Sequence, residues 1–393
     1  MTPTTRLFTG RGRLLAPEPY GGATPWAIVA EEGRVGWVGT ANAAPPVDDR
    51  VDLAEALVTP GLVDAHTHPV YAGDRSDEAA ARLAGDRYDG GGILRTVAAT
   101  RAADDAELGA LVEERLRAQM MAGTTTVEAK SGYGLSTDEE LRALRILGRV
   151  TERLPLRVER TFLGAHARPP DDPGYVDRIV DEMLPAVAAA GLAGWCDVFC
   201  DTGFFSLADT ERILRAAAAH GLGIRMHADQ LSRSGAAELA VRLGAASADH
   251  LEQLDEPGVA SLAASRTVAT LLPGPALVLR DRLPPARGLL DAGATVALAS
   301  DANAGTFGGW GAMPLVVGLG ATVLGLTVPE ALAAATSGGA AALGLAGRRG
   351  VLAPGADADL VAWDAEHEGA FALRLGAVRA NRVFVGGEEV AGR

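Results

Sequence analysis

Between residues 62 and 301 the chain repeats one pattern: a short apolar and β-branched run that turns polar at its last positions, then a segment with apolar residues at helical spacing. Eight such runs are predicted as strands, over 62–68, 124–133, 157–166, 197–203, 223–229, 247–251, 267–273 and 295–301. Among the segments between them, Leu108, Leu111, Val112, Leu116 and Met120 share a helical face and stop before Gly123. Asp209 stands where it would cap "TERILRAAAAH", and Gly221 lies just past the end of that run. Strand then helix, eight times over, is the signature of an α/β fold of the (β/α)8 TIM-like barrel type. The two ends of the chain read differently. "WAIVAEEGRVGWVG" predicts a hairpin about Glu32-Gly33, and "ADLVAWD" with "RVFVGGEEV" predicts further short strands with a turn at Gly386-Gly387. Neither end has enough strands for a stable sheet of its own. Residues 1–60 and 348–393 are therefore expected to form one small composite β-sandwich domain, with the barrel, 61–347, inserted between them.

The polar residues show which end of the barrel matters. His66 and His68, His166, His227, His250 and Asp301 each fall at the last positions of a predicted strand, and these include five of the seven histidines. Active sites of this fold lie at the C-terminal ends of the strands. In "GLVDAHTHP" His66 and His68 are two apart, so on an extended chain they face one way and can share a metal. A single histidine on an apolar strand is more commonly a hydrogen-bonded core residue. Here His227 from the fifth strand and Asp301 from the eighth would meet the first pair at one mouth, and three imidazoles with a carboxylate suit Zn²⁺ or iron with a position left for water. His220 at a helix end and His367 in "DAEHEG" read as a dipole partner and a solvated residue.

Composition narrows the partners. The chain has 393 residues, 48% of them hydrophobic, a formal charge of -14 and a pI near 5.0. Such a charge argues against nucleic acid and against anionic membranes, and an anionic small-molecule substrate would need a local cationic pocket. The first residues lack an uninterrupted apolar run, and no stretch of eighteen apolar residues follows, so a soluble cytoplasmic protein is expected. Cys196 and Cys200, four apart on a predicted strand, would stand roughly 13 Å from one another, too far for a disulfide. Lys130 is the single lysine; every other basic residue of the 36 is arginine. It falls in "EAKSGYG", where a strand should hand over to a loop.

Several strings together carry a resemblance. "PGLVDAHTH", the "HAD" strand, the "SADH" strand and "SDAN" resemble the amidohydrolase superfamily over almost the whole chain. "GGGILRTVAATRAA" (90–103), "GTTTVEAKSGYGL" (123–135), "TFLGAHARPP" (161–170), "HADQLS" (227–232) and "LLPG" (271–274) are similar to the imidazolonepropionase family, hydrolases that open 4-imidazolone-5-propanoate to N-formimidoyl-L-glutamate in histidine degradation. The resemblance implies one divalent or trivalent metal ion per chain, Zn²⁺ or Fe³⁺, on His66, His68, His227 and Asp301. It implies substrate contacts at Arg75, Tyr133, His166, Gln230, Asn303, Gly305 and Thr306. Arg75 offers a planar fork for the propionate carboxylate; Tyr133 and His166 offer donors to the ring or its tail. In the loop after Asp301, backbone N–H groups of Asn303, Gly305 and Thr306 can meet a carboxylate. Some members of the family carry glutamate where this chain has Gln230. An amide is no base, so the proton work falls to Asp301 and His250, the expected catalytic pair. The fourth strand does not end in the lysine that bridges two metals in binuclear relatives, in keeping with a single ion. A homodimer is expected. The alternatives are another amidohydrolase, a deaminase or cyclic amidase of a nitrogen heterocycle, and a catalytically silent scaffold.

Overall fold

The computed structural model describes residues 5–22, 24–85 and 92–392. Its centre is a parallel barrel of eight strands: β1 (Leu62–Asp64), β2 (Thr124–Lys130), β3 (Arg157–Ala165), β4 (Trp195–Cys200), β5 (Met226–Ala228), β6 (Ser247–His250), β7 (Val268–Leu271) and β8 (Val296–Leu298). Each is hydrogen-bonded to the next in chain order. Between β1 and β8 the seam closes just beyond the strands, through Asp301 N–H to His66 C=O (3.0 Å) and His68 N–H to Ala302 C=O (2.9 Å). Asp64 adds to the seam by accepting from Ser300 N–H (2.9 Å) and Ser300 Oγ (2.6 Å).

The eight predicted strands are all present, and most are shorter than the sequence suggests. His66, His68 and Asp301 lie past the ladder instead of on it, because the chain gives up regular pairing where it aims side chains into the mouth. The predicted helical faces pack as their spacing implies. Leu108, Val112, Leu116 and Met120 of helix Asp105–Met121 meet Val127 and Ala129 of β2, together with Ile146, Leu147 and Val150 of helix Thr137–Thr151. One cap differs from the sequence expectation. Helix Leu207–Ala219 is capped by Ser206, whose hydroxyl accepts from the Asp209 N–H, so Asp209 sits inside the first turn and not at the cap. There its carboxylate takes the Ser206 hydroxyl and Arg168. Of the string 90–103, Gly90 and Gly91 fall outside the described residues; the rest is helix Gly92–Ala102 followed by Ala103.

The chain ends supply two four-stranded sheets. One runs in the order Arg34–Thr40, Trp26–Glu31, Thr5–Gly10, Arg50–Asp52, and the other Glu388–Gly392, Ala380–Val385, Leu360–Trp363, Val58–Pro60. They share a core that includes Phe8, Trp26, Ile28, Leu352, Leu360 and Phe384, with the Phe8 and Phe384 rings edge to face at 4.9 Å. Both hairpin turns have two residues at positive φ, Glu32 and Gly33 (51° and 79°) and Gly386 and Gly387 (57° and 78°), as a tight two-residue turn needs.

Candidate active site

Four side chains converge at the C-terminal mouth of the barrel. His66 Nε2 lies 3.2 Å from His68 Nε2 and 3.1 Å from His227 Nε2. Asp301 Oδ1 is 3.2 Å from His68 Nε2 and 3.7 Å from His66 Nε2. All four residues are buried. Burial, followed by the nearby Lys130 and the other imidazoles, pushes His66 well below the ordinary histidine range, and burial also lowers His68. Asp301 moves down although burial alone would raise it, because His68 and the neighbouring imidazoles favour its charged form. Neutral rings and an ionised carboxylate are the states in which these groups ligate metals.

The second nitrogens of two rings are fixed from behind. His66 Nδ1 meets Asp249 Oδ2 at 2.7 Å, and His227 Nδ1 meets Asp197 at 3.0 and 3.1 Å. Protons assigned to those Nδ1 atoms leave the Nε2 lone pairs of His66 and His227 facing one another across 3.1 Å, an arrangement that repels unless a cation shares it. Donors roughly 2.0–2.2 Å from one ion stand roughly 3–3.6 Å apart in a tetrahedral set; the His66–His68, His66–His227 and His68–Asp301 pairs, at 3.2, 3.1 and 3.2 Å, have that spacing, and His66–Asp301 at 3.7 Å lies just beyond it. Asp301 Oδ1 is buried and, among the described residues, has no hydrogen-bond partner, only the close contacts with His68 and His66. The donor set therefore fits a single metal ion. Nor is the backbone relaxed here. Asp229, His250 and Asp301, each at or just past a strand end, take φ of 49°, 83° and 49°, a conformation that costs roughly 1–3 kcal/mol per residue and recurs at functional sites.

At these four groups is a cavity of about 30 Å³ lined by His68, Arg75, Ile93, Tyr133, His166, Phe199, His227, Gln230, His250, Asp301, Asn303 and Thr306. Of the residues expected to touch substrate, only Gly305 is missing from this wall. Its contribution is steric: a Cβ there would stand 2.2 Å from the Arg75 guanidinium, and one on Gly92 would stand 2.1 Å away, so two bare backbones form the slot that Arg75 threads. Glu78 grips the same guanidinium through both oxygens (2.7 and 2.8 Å) and also takes Arg82, which in turn donates to the Gly305 carbonyl. The loop amides differ from expectation. Gly305 N–H and Thr306 N–H are turned inward onto Asn303 Oδ1 (2.7 and 2.8 Å), because Asn303 closes its own loop and also donates to Thr306 Oγ1.

The other walls are held by buried carboxylates. Glu140 accepts from Gly132, Gly134 and Leu135 N–H (3.0, 2.8 and 2.8 Å), fixing the loop that carries Tyr133. The Gly132 carbonyl then holds His166 Nδ1 at 3.0 Å, and the His166 ring stacks on His68 with centroids 5.1 Å apart. Gln230 sits between two clamps, Asp229 binding Ser234, Gly235 and Ala237 N–H and Asp201 binding Leu231 and Ser232 N–H. His250 faces Glu252 (3.3 Å) through Nδ1 and Asp301 (3.8 Å) through Nε2. Burial lowers its pKa, but Glu252 and the charges of Asp301 and Asp249 outweigh burial and raise it.

Among the residues that sequence reasoning missed are Asp197, Asp249, Glu252 and Glu140, with Glu78, Glu128, Asp201 and Asp229, and the wall residues Ile93 and Phe199. A carboxylate inside a buried strand, as in "WCDVFC", was the available signal for Asp197. Far larger cavities lie elsewhere, among them one of about 570 Å³ beside Leu14–Pro17 and Leu332–Ser337 and one of about 850 Å³ beside Leu53–Ala56 and Asp364–His367. Neither opens onto the His/Asp cluster, so chemistry and not volume marks the site.

Comparison with known proteins bears on this geometry. The model of the Amidohydrolase family matches residues 70–391. An imidazolonepropionase of Saccharopolyspora erythraea is 46% identical over 400 residues, covering 99% of this chain and 100% of that one. One of Cupriavidus metallidurans is 45% identical over 394 residues, covering 95% of each. Among solved structures, 5-methylcytosine deaminase from Klebsiella pneumoniae superposes with a TM-score of 0.79 at 18% identity, over 98% of both chains, a likeness of fold.

Proposed function

The chain belongs to the imidazolonepropionase family of the amidohydrolases, and from that premise we propose how its own side chains carry the family's reaction. It hydrolyses the cyclic amide C–N bond of 4-imidazolone-5-propanoate to give N-formimidoyl-L-glutamate. The observation that carries this reading is that His66 Nε2 stands within 3.1–3.7 Å of His68 Nε2, His227 Nε2 and Asp301 Oδ1 at the barrel mouth. His66, His68, His227 and Asp301 would hold the metal. When bound, the ion supplies a water of lowered pKa and polarises the ring carbonyl.

Everything else is work for the protein. Arg75, its plane held by Glu78 and its slot kept open by Gly92 and Gly305, takes the propionate carboxylate. Tyr133 and His166 flank the ring, and Asn303 and Thr306 close the opposite wall. Gln230 orients the ring amide and moves no proton. Asp301 accepts the proton of the attacking water and passes it to the departing ring nitrogen. His250, with Glu252 behind it, donates toward the carbonyl oxygen as negative charge builds there. A cavity of about 30 Å³ holds only a water or two, so substrate entry requires the wall to open.

Two coarser features go with this reading. Among the described residues no helix is long and apolar enough to cross a membrane, and Cys196 and Cys200 are buried free thiols; both support a cytoplasmic setting. The homodimer is proposed with it, to be tested by the mass of the purified chain in solution. The activity itself is tested by mixing the protein with freshly prepared 4-imidazolone-5-propanoate and following loss of ring absorbance. N-formimidoyl-L-glutamate should accumulate. Release of ammonia from an amino-substituted heterocycle, with no turnover of the imidazolone, would favour a deaminase instead.

A further inference from the structure

Lys130 stands out twice, as the single lysine of the chain and as one of its largest fully buried side chains. Its ammonium lies 2.7 Å from Asp197 Oδ2 and 2.8 Å from Glu128 Oε1. Each of those carboxylates supports a different part of the metal centre. Asp197 holds His227 by its ring Nδ1 and by its backbone N–H (3.2 Å). Glu128 Oε2 accepts from the backbone N–H of Thr67 (3.2 Å), the residue between His66 and His68. Two more bonds lock the same segment, Thr67 Oγ1 to the Glu128 carbonyl (2.6 Å) and Lys130 N–H to the Thr67 carbonyl (3.0 Å). β1 and β5 lie on different sides of the barrel, and one buried cation ties their supports together.

We propose that Lys130 is a positioning residue of the metal centre: by joining Asp197 to Glu128 it sets the spacing between His227 and the His66/His68 pair, a task arginine cannot perform. The inference rests on His66, His68 and His227 being metal ligands. A compact ammonium fits between two carboxylates in a space with no exposure, whereas a planar guanidinium is wider and presents its donors in a fixed fork. In a chain that uses arginine at every other basic position, this accounts for the one exception.

The test is made on the whole chain, stripped of metal and titrated with Zn²⁺ against a chromophoric chelator. Lys130→Met and Lys130→Arg should each weaken Zn²⁺ affinity by about tenfold or more, within the 10–100-fold range of supporting groups behind metal ligands, and should shift the visible absorption of Co²⁺ bound in place of Zn²⁺. In an Asp197→Asn background the further loss from Lys130→Met should shrink, because the two residues act through one another. Unchanged affinity and spectrum in Lys130→Arg would overturn the proposal, as would an undiminished loss in the Asp197→Asn background. The native protein gives a reading that needs no variant. Labelling with [¹³Cε]lysine yields one resonance, which should move when Zn²⁺ is added to the stripped protein; a fixed resonance would also overturn the proposal. His227→Ala separates the two levels. If that variant keeps Zn²⁺, the ligand assignment fails and this inference with it; if it loses Zn²⁺ while the Lys130 variants keep theirs, this inference fails alone.

Discussion

Single residues at the mouth divide into those that would hold the ion, those that would hold the substrate and those that would move protons, and substitutions should separate them. His250 is not among the four proposed ligands and lies 3.8 Å from Asp301. His250→Ala is therefore expected to lower kcat by roughly 10²-fold or more, within the range for positioned acid–base and electrostatic groups, while metal content stays unchanged. Loss of metal in that variant would mean His250 is a ligand. Gln230→Glu should bring no rate gain if Asp301 serves as proton acceptor, as proposed; a large gain would show the chain lacks an efficient base. Arg75→Lys keeps the charge and loses the fork gripped by Glu78. Its kcat/KM should fall by an amount equivalent to roughly 1–3 kcal/mol, and unchanged kinetics would remove Arg75 from the substrate contacts. At this scale the histidines were legible because each ends an apolar run, and two of them are spaced for one face. The carboxylates behind them were not. Asp197, Asp249 and Glu252 gain meaning only from partners on other strands or turns, and a single chain position carries no sign of such a partner. Lys130 announced itself through composition alone.

Loops and strand ends are where the elements turn side chains into a site. Glu140 replaces three missing backbone partners in the Ser131–Leu135 turn, and the Gly132 carbonyl of that turn fixes His166. Glu140→Gln retains the shape but turns one acceptor oxygen into a donor facing N–H groups. It should destabilise the fold by roughly 1–3 kcal/mol in chemical denaturation and raise KM more than it lowers kcat, because Tyr133 and His166 are expected to bind rather than react. Equal changes in both constants, or none, would deny the loop that role. Element boundaries were the weakest part of the sequence reading for a related reason. Periodicity located every barrel strand, yet it could not show that the regular strands end at Asp64 and Leu298 while His66, His68 and Asp301 come just after, around an isolated Thr67–Ala302 bridge. The cap of helix Leu207–Ala219 was misplaced by three residues, since Ser206 and Asp209 are both good capping types and only the backbone angles choose between them.

For the molecule as a whole, the barrel is closed and its site buried by the same contacts. Asp64 and Ser300 bind across the β1–β8 seam beneath the ligating residues. Burial pushes the Asp64 carboxyl up to about 7, against two hydrogen bonds from Ser300 that pull it down. A group whose folded pKa is raised holds more protons folded than unfolded between its unfolded value near 4 and its folded value. The stability it contributes is thus present at low pH and is lost as pH rises from about 4 to about 7. Metal-free Asp64→Asn, which cannot titrate there, should show a smaller fall in urea midpoint from pH 5 to pH 7 than the metal-free parent, and parallel curves would contradict this. The barrel class was readable from eight repeats of strand and helix. The expectation that neither end holds enough strands for a sheet was wrong for the N-terminal end, which alone supplies Thr5–Gly10, Trp26–Glu31, Arg34–Thr40 and Arg50–Asp52, because the first and last of these carry no hairpin signal; only the second sheet mixes both ends. The proposed ring-opening activity depends on one ion gathered by His66, His68, His227 and Asp301. The most direct test is to strip the protein with a chelator and add Zn²⁺ back in steps while following loss of imidazolone absorbance. Turnover should be absent at the start and should rise to a break at one equivalent per chain; full activity in the stripped protein, or a break at two equivalents, would contradict the account.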